Sequence, residues 1–419
     1  MKIAIIGAGF TGLTAGYRLQ QNGNSVTIFE KSKIPGGLAI GYKKNEWDWT
    51  LESYYHHWFT NDKHILQLAK ELEYPVIIKR PKTSSYIDNT IFQLDSPLTF
   101  LQFPKLSLFA RLRMLFVLGL LRIDPFWKPL ESVTAAEFLP KSLGKKSYEI
   151  LWEPLLVNKF GEFAKKISLA WFWARIKKRT PSLAYPVGGF LSFAESLAKK
   201  IEKIGGKIIY NVQIEKIIST QNGISLGSAY GIFDKVIVTL PSFNFVNLCP
   251  DLPETYQKKL LSLQGLGAIT VVLRLKNKLL KDNTYWLNIC DTHAPFLALV
   301  EHTNFMDAKH YNNEHLVYLG NYLPQNHNFF SLSDKDLLKA FLPYLEKFNP
   351  NIKKDIIGVD VFKTPFAQPI IPINYSKNLP SFSTPIPNIY LANMQQVYPW
   401  DRGTNYAVEL GEKIAAFIQ

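Results

Sequence analysis

Residues Lys2-Ile3-Ala4-Ile5-Ile6-Gly7-Ala8-Gly9-Phe10-Thr11-Gly12-Leu13 decide the fold. An apolar run that reads as a buried strand passes directly into a glycine turn, and a helix is expected to open at Leu13. In such a unit Gly7 makes the tight turn and Gly9 lets backbone approach a pyrophosphate. Gly12 then lets helix pack on strand. The helix N-terminus points unpaired N–H groups and a partial positive charge at the phosphates, and Phe10 and Thr11 lie inside the same loop. A second strand, Ser25-Val26-Thr27-Ile28-Phe29, ends in Glu30, 18 residues after Gly12. An acid there accepts hydrogen bonds from ribose hydroxyls. Strand, glycine turn, helix, strand and acid in this order predict a dinucleotide-binding unit.

The next segment, Lys31-Ser32-Lys33-Ile34-Pro35-Gly36-Gly37-Leu38, carries a second glycine pair soon after the acid, so backbone can approach the cofactor twice. This resembles the flavoprotein family of protoporphyrinogen oxidase, amine oxidases, phytoene desaturases and UDP-galactopyranose mutase. Distant stretches share the resemblance: Asn211-Val212, the strand-like Asp234–Pro241, and Asn388–Ala392 leading through Gly403-Thr404-Asn405-Tyr406-Ala407 into a helix around Gly411. The resemblance implies an α/β fold, a Rossmann-like FAD-binding domain of the GR2 type with an inserted α+β substrate domain. FAD is the cofactor it implies. The implied contacts are Gly7, Gly9, Phe10, Thr11, Gly12, Glu30, Lys31, Gly36, Gly37, Leu38, Val212, Asn393, Gly403, Thr404, Asn405 and Ala407.

A chain of 419 residues exceeds the size at which single cores stop growing, so two domains are expected. The FAD domain would be discontinuous, from residues 1–75, 205–245 and 385–419. Residues 76–204, helical in pattern, and 246–384, with strands such as Ala268–Leu275, would form the substrate domain. In Tyr185-Pro186-Val187-Gly188-Gly189-Phe190 a glycine turn precedes a helix over Leu191–Ile204.

Cys249 and Cys290, the two cysteines, have no metal-ligand spacing, so two structural thiols and no metal are expected. The four apolar residues after Lys2 are too few for a signal segment, which favours a cytoplasmic protein. The most apolar run, Met114 to Leu121, is eight residues against the ~18 or more a spanning helix needs, and the surrounding piece from Leu106 to Ile123 is both apolar and basic. It reads either as a core helix or as a peripheral contact with the inner face of a membrane. The formal net charge of +14 would attract anionic lipid, a carboxylated porphyrin or a nucleotide sugar, and no nucleic-acid module is present.

Chemistry is concentrated around Glu52-Ser53-Tyr54-Tyr55-His56-His57-Trp58-Phe59-Thr60-Asn61-Asp62. Adjacent histidines among aromatics are costly to bury unless the imidazoles find partners. The stretch resembles the UDP-galactopyranose mutase loop whose histidine lies against the flavin ring. His56 is the matching residue, while that loop's second histidine falls on Phe59 and its Gly-Pro pair on Tyr54-Tyr55. His56 and His57 are therefore candidates for catalysis, with a structural histidine pair as the alternative. A second cluster runs from Trp152 through Lys159 to Trp171, Trp173, Arg175 and Arg179. Its cations could pair with an anionic substrate while the tryptophans wall a pocket or build core, and Arg175 is the third catalytic candidate.

Two departures restrict what the resemblance carries over. The lysine that amine oxidases keep near flavin N5 aligns with Thr270, and the usual Gly-Asp before the closing helix is Asn393-Met394. The leading expectation is an FAD-dependent oxidoreductase that takes hydride from a C–H or N–H bond of an apolar or anionic small molecule. Oxygen, a quinone or a protein would be the electron acceptor. The alternatives are a redox-neutral mutase of nucleotide sugars and a flavoprotein without turnover.

Overall fold

In a computed structural model describing residues 1–419, the strand Lys2–Ile6 is the centre of a five-stranded parallel sheet. The strand order is Lys207–Ile209, Ser25–Phe29, Lys2–Ile6, Lys235–Val238, Ile389–Leu391. Ile3 and Ile5 face one core and Ala4 and Ile6 another, all of them buried. A strand covered on both faces has no polar side, which is why the run is apolar at consecutive positions. The helices Phe10–Gln21, Phe190–Lys203 and Thr404–Phe417 cover the first face. A small antiparallel sheet, Ile218–Thr220, Gly223–Ser225 and Ile232–Phe233, covers the second. The core is thus a Rossmann-like α/β layer structure.

The first helix opens at Phe10 rather than at Leu13. The reversal is finished within Gly7-Ala8-Gly9, with Gly7 at φ +107, so Gly12 is already helical. Gly411 in the closing helix rests on this helix so closely that a Cβ would lie 2.6 Å from the Thr11 carbonyl oxygen.

A second sheet of seven strands has the order Ile356–Pro369, Gly265–Leu275, His315–Leu323, Ala298–Glu301, Thr284–Ile289, Lys82–Ile87, Thr90–Gln93. Its neighbours are antiparallel except Thr284–Ile289 beside Lys82–Ile87. The strands over 76–93 lie in a region whose pattern reads as helical. Lys82–Ile87 finds its parallel partner about two hundred residues later, and such a pairing leaves no local period to read. Between residues 97 and 178 the chain is helical and surrounds a core that includes Phe103, Met114, Leu139, Phe160, Trp171 and Trp173. Within that layer Leu108–Ile123 buries only Met114 and Leu121. No helix is long and apolar enough to cross a membrane.

Candidate active site

The two glycine segments meet. Gly36 N–H donates to the Ala8 carbonyl at 2.9 Å, and Gly9 pairs with Gly36 in a parallel bridge. Gly37, at φ +60, comes so near that a Cβ on it would stand 3.0 Å from Gly9 Cα. The helix beginning at Phe10 has no side-chain cap and no acid in its first turn, so its leading amides stay available to an anion. Glu30 is buried, and its two carboxylate oxygens accept from Ala8 N–H at 2.7 Å and Ser32 N–H at 2.9 Å. It fixes the loop and keeps lone pairs for a further donor such as a ribose hydroxyl. Val212 N–H donates to the Glu30 carbonyl at 3.0 Å, and the Lys31 side chain is exposed. A backbone-lined cradle, a bare helix N-terminus and a buried acid are what the diphosphate and ribose of FAD require.

Beside this cradle Leu38 lines a small cavity of about 30 Å³, together with Tyr54, Tyr55, His56, Thr270, Asn321, Tyr322 and Arg402. Tyr55 lies on the second sheet at Gly320, where any Cβ would stand 2.3 Å from its ring. His56 is half-buried, with its Nδ1 on the Tyr54 carbonyl. That bond makes Nδ1 the protonated nitrogen and leaves Nε2 free. Burial, reinforced by Arg402, pushes its pKa down to about 4. His57 Nδ1 meets the Tyr285 hydroxyl at 3.1 Å. Burial pushes it down to about 3, helped by Arg179, His56 and Arg175. Both imidazoles are therefore neutral near neutral pH, suited to orienting or accepting rather than to giving up a proton. Thr270 is buried and presents a neutral hydroxyl to the cavity.

Beside the cavity Lys159 and Arg175 pair with one acid, Asp401, next to Arg402. Asp401 accepts from Arg175 Nη1 at 2.7 Å, Trp171 Nε1 at 3.1 Å and Arg402 N–H at 3.1 Å, with Lys159 Nζ at 3.6 Å. Burial would raise its pKa, but Lys159, Arg175 and Arg402 hold it well below the carboxylate range. Arg402 also donates to Gln368 Oε1 at 3.1 Å and to the Tyr322 hydroxyl. Lys159 sits over the rings of Trp171 and Tyr322 at 5.1 and 5.3 Å. Burial drives its pKa well below that of a free lysine although Asp401 opposes the shift. Arg179 is open to solvent and makes no ion pair.

The remaining candidate residues lie around the start of the closing helix. Thr404 Oγ1 accepts from Trp58 Nε1 at 2.9 Å, and Asn405 Oδ1 accepts from the backbone of His64 and Ile65. Gly403 is exposed and Ala407 half-buried at a helix N-terminus that again has no side-chain cap. The Asn393 side chain is committed within the chain, donating to the Leu240 carbonyl and Ser242 Oγ and accepting from Gln395 N–H. Sequence reasoning missed Glu52, Tyr322 and the anchoring role of Asp401. Glu52 is buried, accepts from Tyr185 and from Phe190 N–H at 2.8 Å, and is pushed by burial up to about 7. An acid opening the aromatic run after Leu51 was its only local signal.

The sequence model described as flavin containing amine oxidoreductase matches residues 10–416. Coproporphyrinogen III oxidase of Staphylococcus aureus is 28% identical over 293 residues, 59% of this chain and 62% of that protein. The chain thus matches less than two thirds of that relative's length. A structure described as a putative protoporphyrinogen oxidase from Exiguobacterium superimposes with a TM-score of 0.76 at 18% identity, over 99% of this chain and 98% of the other. Reduced UDP-galactopyranose mutase gives a TM-score of 0.76 at 16% identity, over 100% and 95%. These two likenesses show the fold.

Proposed function

Because this chain belongs to the flavin-containing amine oxidoreductases and is an FAD-dependent enzyme, we propose that it removes hydride from a C–H or N–H bond of an anionic, largely apolar small molecule. The observation that carries this reading is the excess of cations, Lys159, Arg175, Arg179 and Arg402 against Asp401 alone, beside an aromatic cavity next to the glycine cradle. FAD, when bound, supplies the hydride-accepting N5.

Gly9, Gly36, Gly37 and the bare amides from Phe10 onward would hold its diphosphate, with Glu30 toward a ribose. The start of the closing helix, from Gly403 through Thr404 and Asn405 to Ala407, would lie against the ring system. Arg402 at the cavity wall and Arg179 on the solvent side would take the substrate's carboxylates or phosphates through charge-assisted, directional bonds. Tyr54, Tyr55 and Tyr322 would shut water from the reacting bond, and neutral His56 would orient the substrate through Nε2 or receive its departing proton. A neutral Thr270 leaves the reacting position without a cationic amine, which favours C–H over N–H substrates. Residues 1–75, 205–245 and 385–419 would form the cofactor part and 76–204 and 246–384 the substrate part.

A second reading, a redox-neutral mutase of nucleotide sugars, is favoured by Arg179, an unpaired cation near His57 suited to a diphosphate. One experiment separates the two. Oxidised FAD-loaded protein is mixed anaerobically with coproporphyrinogen III to follow flavin reduction, and, separately, protein reduced anaerobically with dithionite is exposed to air with UDP-galactose or alone. Rapid reoxidation indifferent to the sugar, with porphyrinogen-driven reduction, is expected. Slow reoxidation with a sugar-dependent spectral change or sugar isomerisation overturns the oxidoreductase reading in favour of the mutase.

A further inference from the structure

The helix Leu108–Ile123 is built for two environments. Met114 and Leu121 lie on one side of it, in the core of the helical layer. The opposite side exposes Leu108 (57%), Phe109 (75%), Leu112 (50%), Phe116 (67%), Leu120 (47%) and Ile123 (74%). At 100° per residue these six fall within about 120° of one another, centred near Phe116. Arg113 stands at one edge of this stripe, and Arg111 and Arg122 at the other. Leu98 and Phe126, before and after the helix in the chain, are exposed as well. A soluble surface rarely leaves so many large apolar side chains contiguous without something that covers them.

Charge selects the occupant. The helix contains three arginines and no acid. Arg111 and Arg122 anchor through carbonyl oxygens, of Leu101 and Ile176, and Arg113 through those of Ser142 and Lys141. None of the three is neutralised by an ion pair, and Lys177, beside the helix C-terminus on the carbonyls of Arg122 and Asp124, has no acidic partner either. A twofold contact between two such faces would set these unneutralised fringes against each other, because an isologous interface brings a patch against its own copy. At sixteen residues the helix is too short to span a bilayer, but it suits one lying in the interface plane, apolar side chains in the acyl boundary and guanidinium groups among headgroups.

We propose that the outer face of Leu108–Ile123 docks this protein on an anionic lipid surface. Phe109, Leu112, Phe116 and Ile123 enter the acyl boundary, while Arg111, Arg113 and Arg122 meet lipid phosphates. Docking needs neither substrate nor turnover.

Co-sedimentation of the FAD-loaded full chain with vesicles tests it. With equal parts phosphatidylcholine and phosphatidylglycerol, binding is expected that is at least about tenfold tighter than to phosphatidylcholine alone and that weakens with added salt, as several basic side chains near the surface imply. Leu112→Asp with Phe116→Asp is expected to abolish sedimentation while melting temperature and flavin absorbance stay at wild-type values. Both positions are exposed, so a folded variant is obtained. Failure of the parent protein to sediment with the anionic vesicles overturns the proposal, and so does equal binding to both compositions. A dimer in light scattering that Phe116→Asp dissociates, without vesicle binding, assigns the face to a second copy instead.

Discussion

Gly9 and Gly12 stand three residues apart in one turn, yet a methyl group would meet different obstacles at each. At Gly12 a Cβ would lie 2.0 Å from the Gly7 carbonyl oxygen, so the turn itself must move. Gly12→Ala is expected to cost about 1–3 kcal/mol of apoprotein stability, as overpacking does. At Gly9 the nearest protein atom to a Cβ is Gly37 Cα at 3.6 Å, an ordinary contact, so an added methyl intrudes only on a ligand. Gly9→Ala should melt like the wild-type apoprotein but lose FAD on gel filtration, followed by absorbance. Equal effects of the two substitutions on melting would remove the division of roles. His302 gives a second test at this scale. It is buried with its ring on the Tyr311 hydroxyl at 2.8 Å, and burial pushes its pKa from 6.5 down to about 3. The folded state therefore refuses a proton that the unfolded chain accepts below pH 6.5. Its contribution to stability is whole above that pH and is lost progressively as pH falls toward 3. His302→Gln should flatten the fall in denaturation midpoint between about pH 6 and pH 4 relative to wild type. An unchanged slope would mean that this imidazole titrates freely.

At the scale of elements, the sequence makes plain whatever is held by neighbours in the chain. Lys2–Ile6 and Ser25–Phe29 are legible because strands buried on both faces are apolar throughout, and Phe190–Lys203 because its buried positions recur at helical spacing. What bridges elements leaves no such mark. Asn405, read as a cofactor contact, sends its side-chain oxygen to the first-turn amides of His64 and Ile65, 341 and 340 residues away, and so caps the helix Lys63–Glu71. Nothing near Asn405 in the chain announces that partner. The cap joins the closing helix to the helix that follows the histidine loop. Asn405→Ala is expected to lower stability by about 1 kcal/mol, the usual cost of a lost cap. It should also raise hydrogen exchange in Lys63–Ile65 while leaving exchange in the strand Lys2–Ile6 unchanged. Uniform exchange changes in both segments would argue against a local role.

At the scale of the whole molecule, the chain carries an excess of fourteen positive charges, and the site adds a local excess of its own. Lys159, Arg175 and Arg179 are recognisable in the sequence as cations among tryptophans. The acid that Lys159 and Arg175 share, Asp401, is not, because it arrives from 226 residues beyond Arg175 and an ion pair imposes no periodicity on either segment. The one carboxylate pairs with Lys159 and Arg175 and accepts only the backbone N–H of Arg402, which leaves the Arg402 and Arg179 guanidinium groups without an acidic partner. Such a field acts on a charged substrate in two ways that salt separates. Long-range attraction through solvent raises the encounter rate and is screened beyond about 10 Å at 0.1 M salt. Contact with Arg402 at the cavity wall is screened far less, because little water intervenes. For an anionic substrate, kcat/KM should therefore fall by about tenfold or more between low and high salt while kcat stays nearly constant. Arg179→Gln should reduce kcat/KM at low salt and make its remaining salt dependence shallower. A kcat/KM indifferent to salt, with the same anionic substrate turned over, would mean that the cations serve only to hold Asp401 and the closing helix in place.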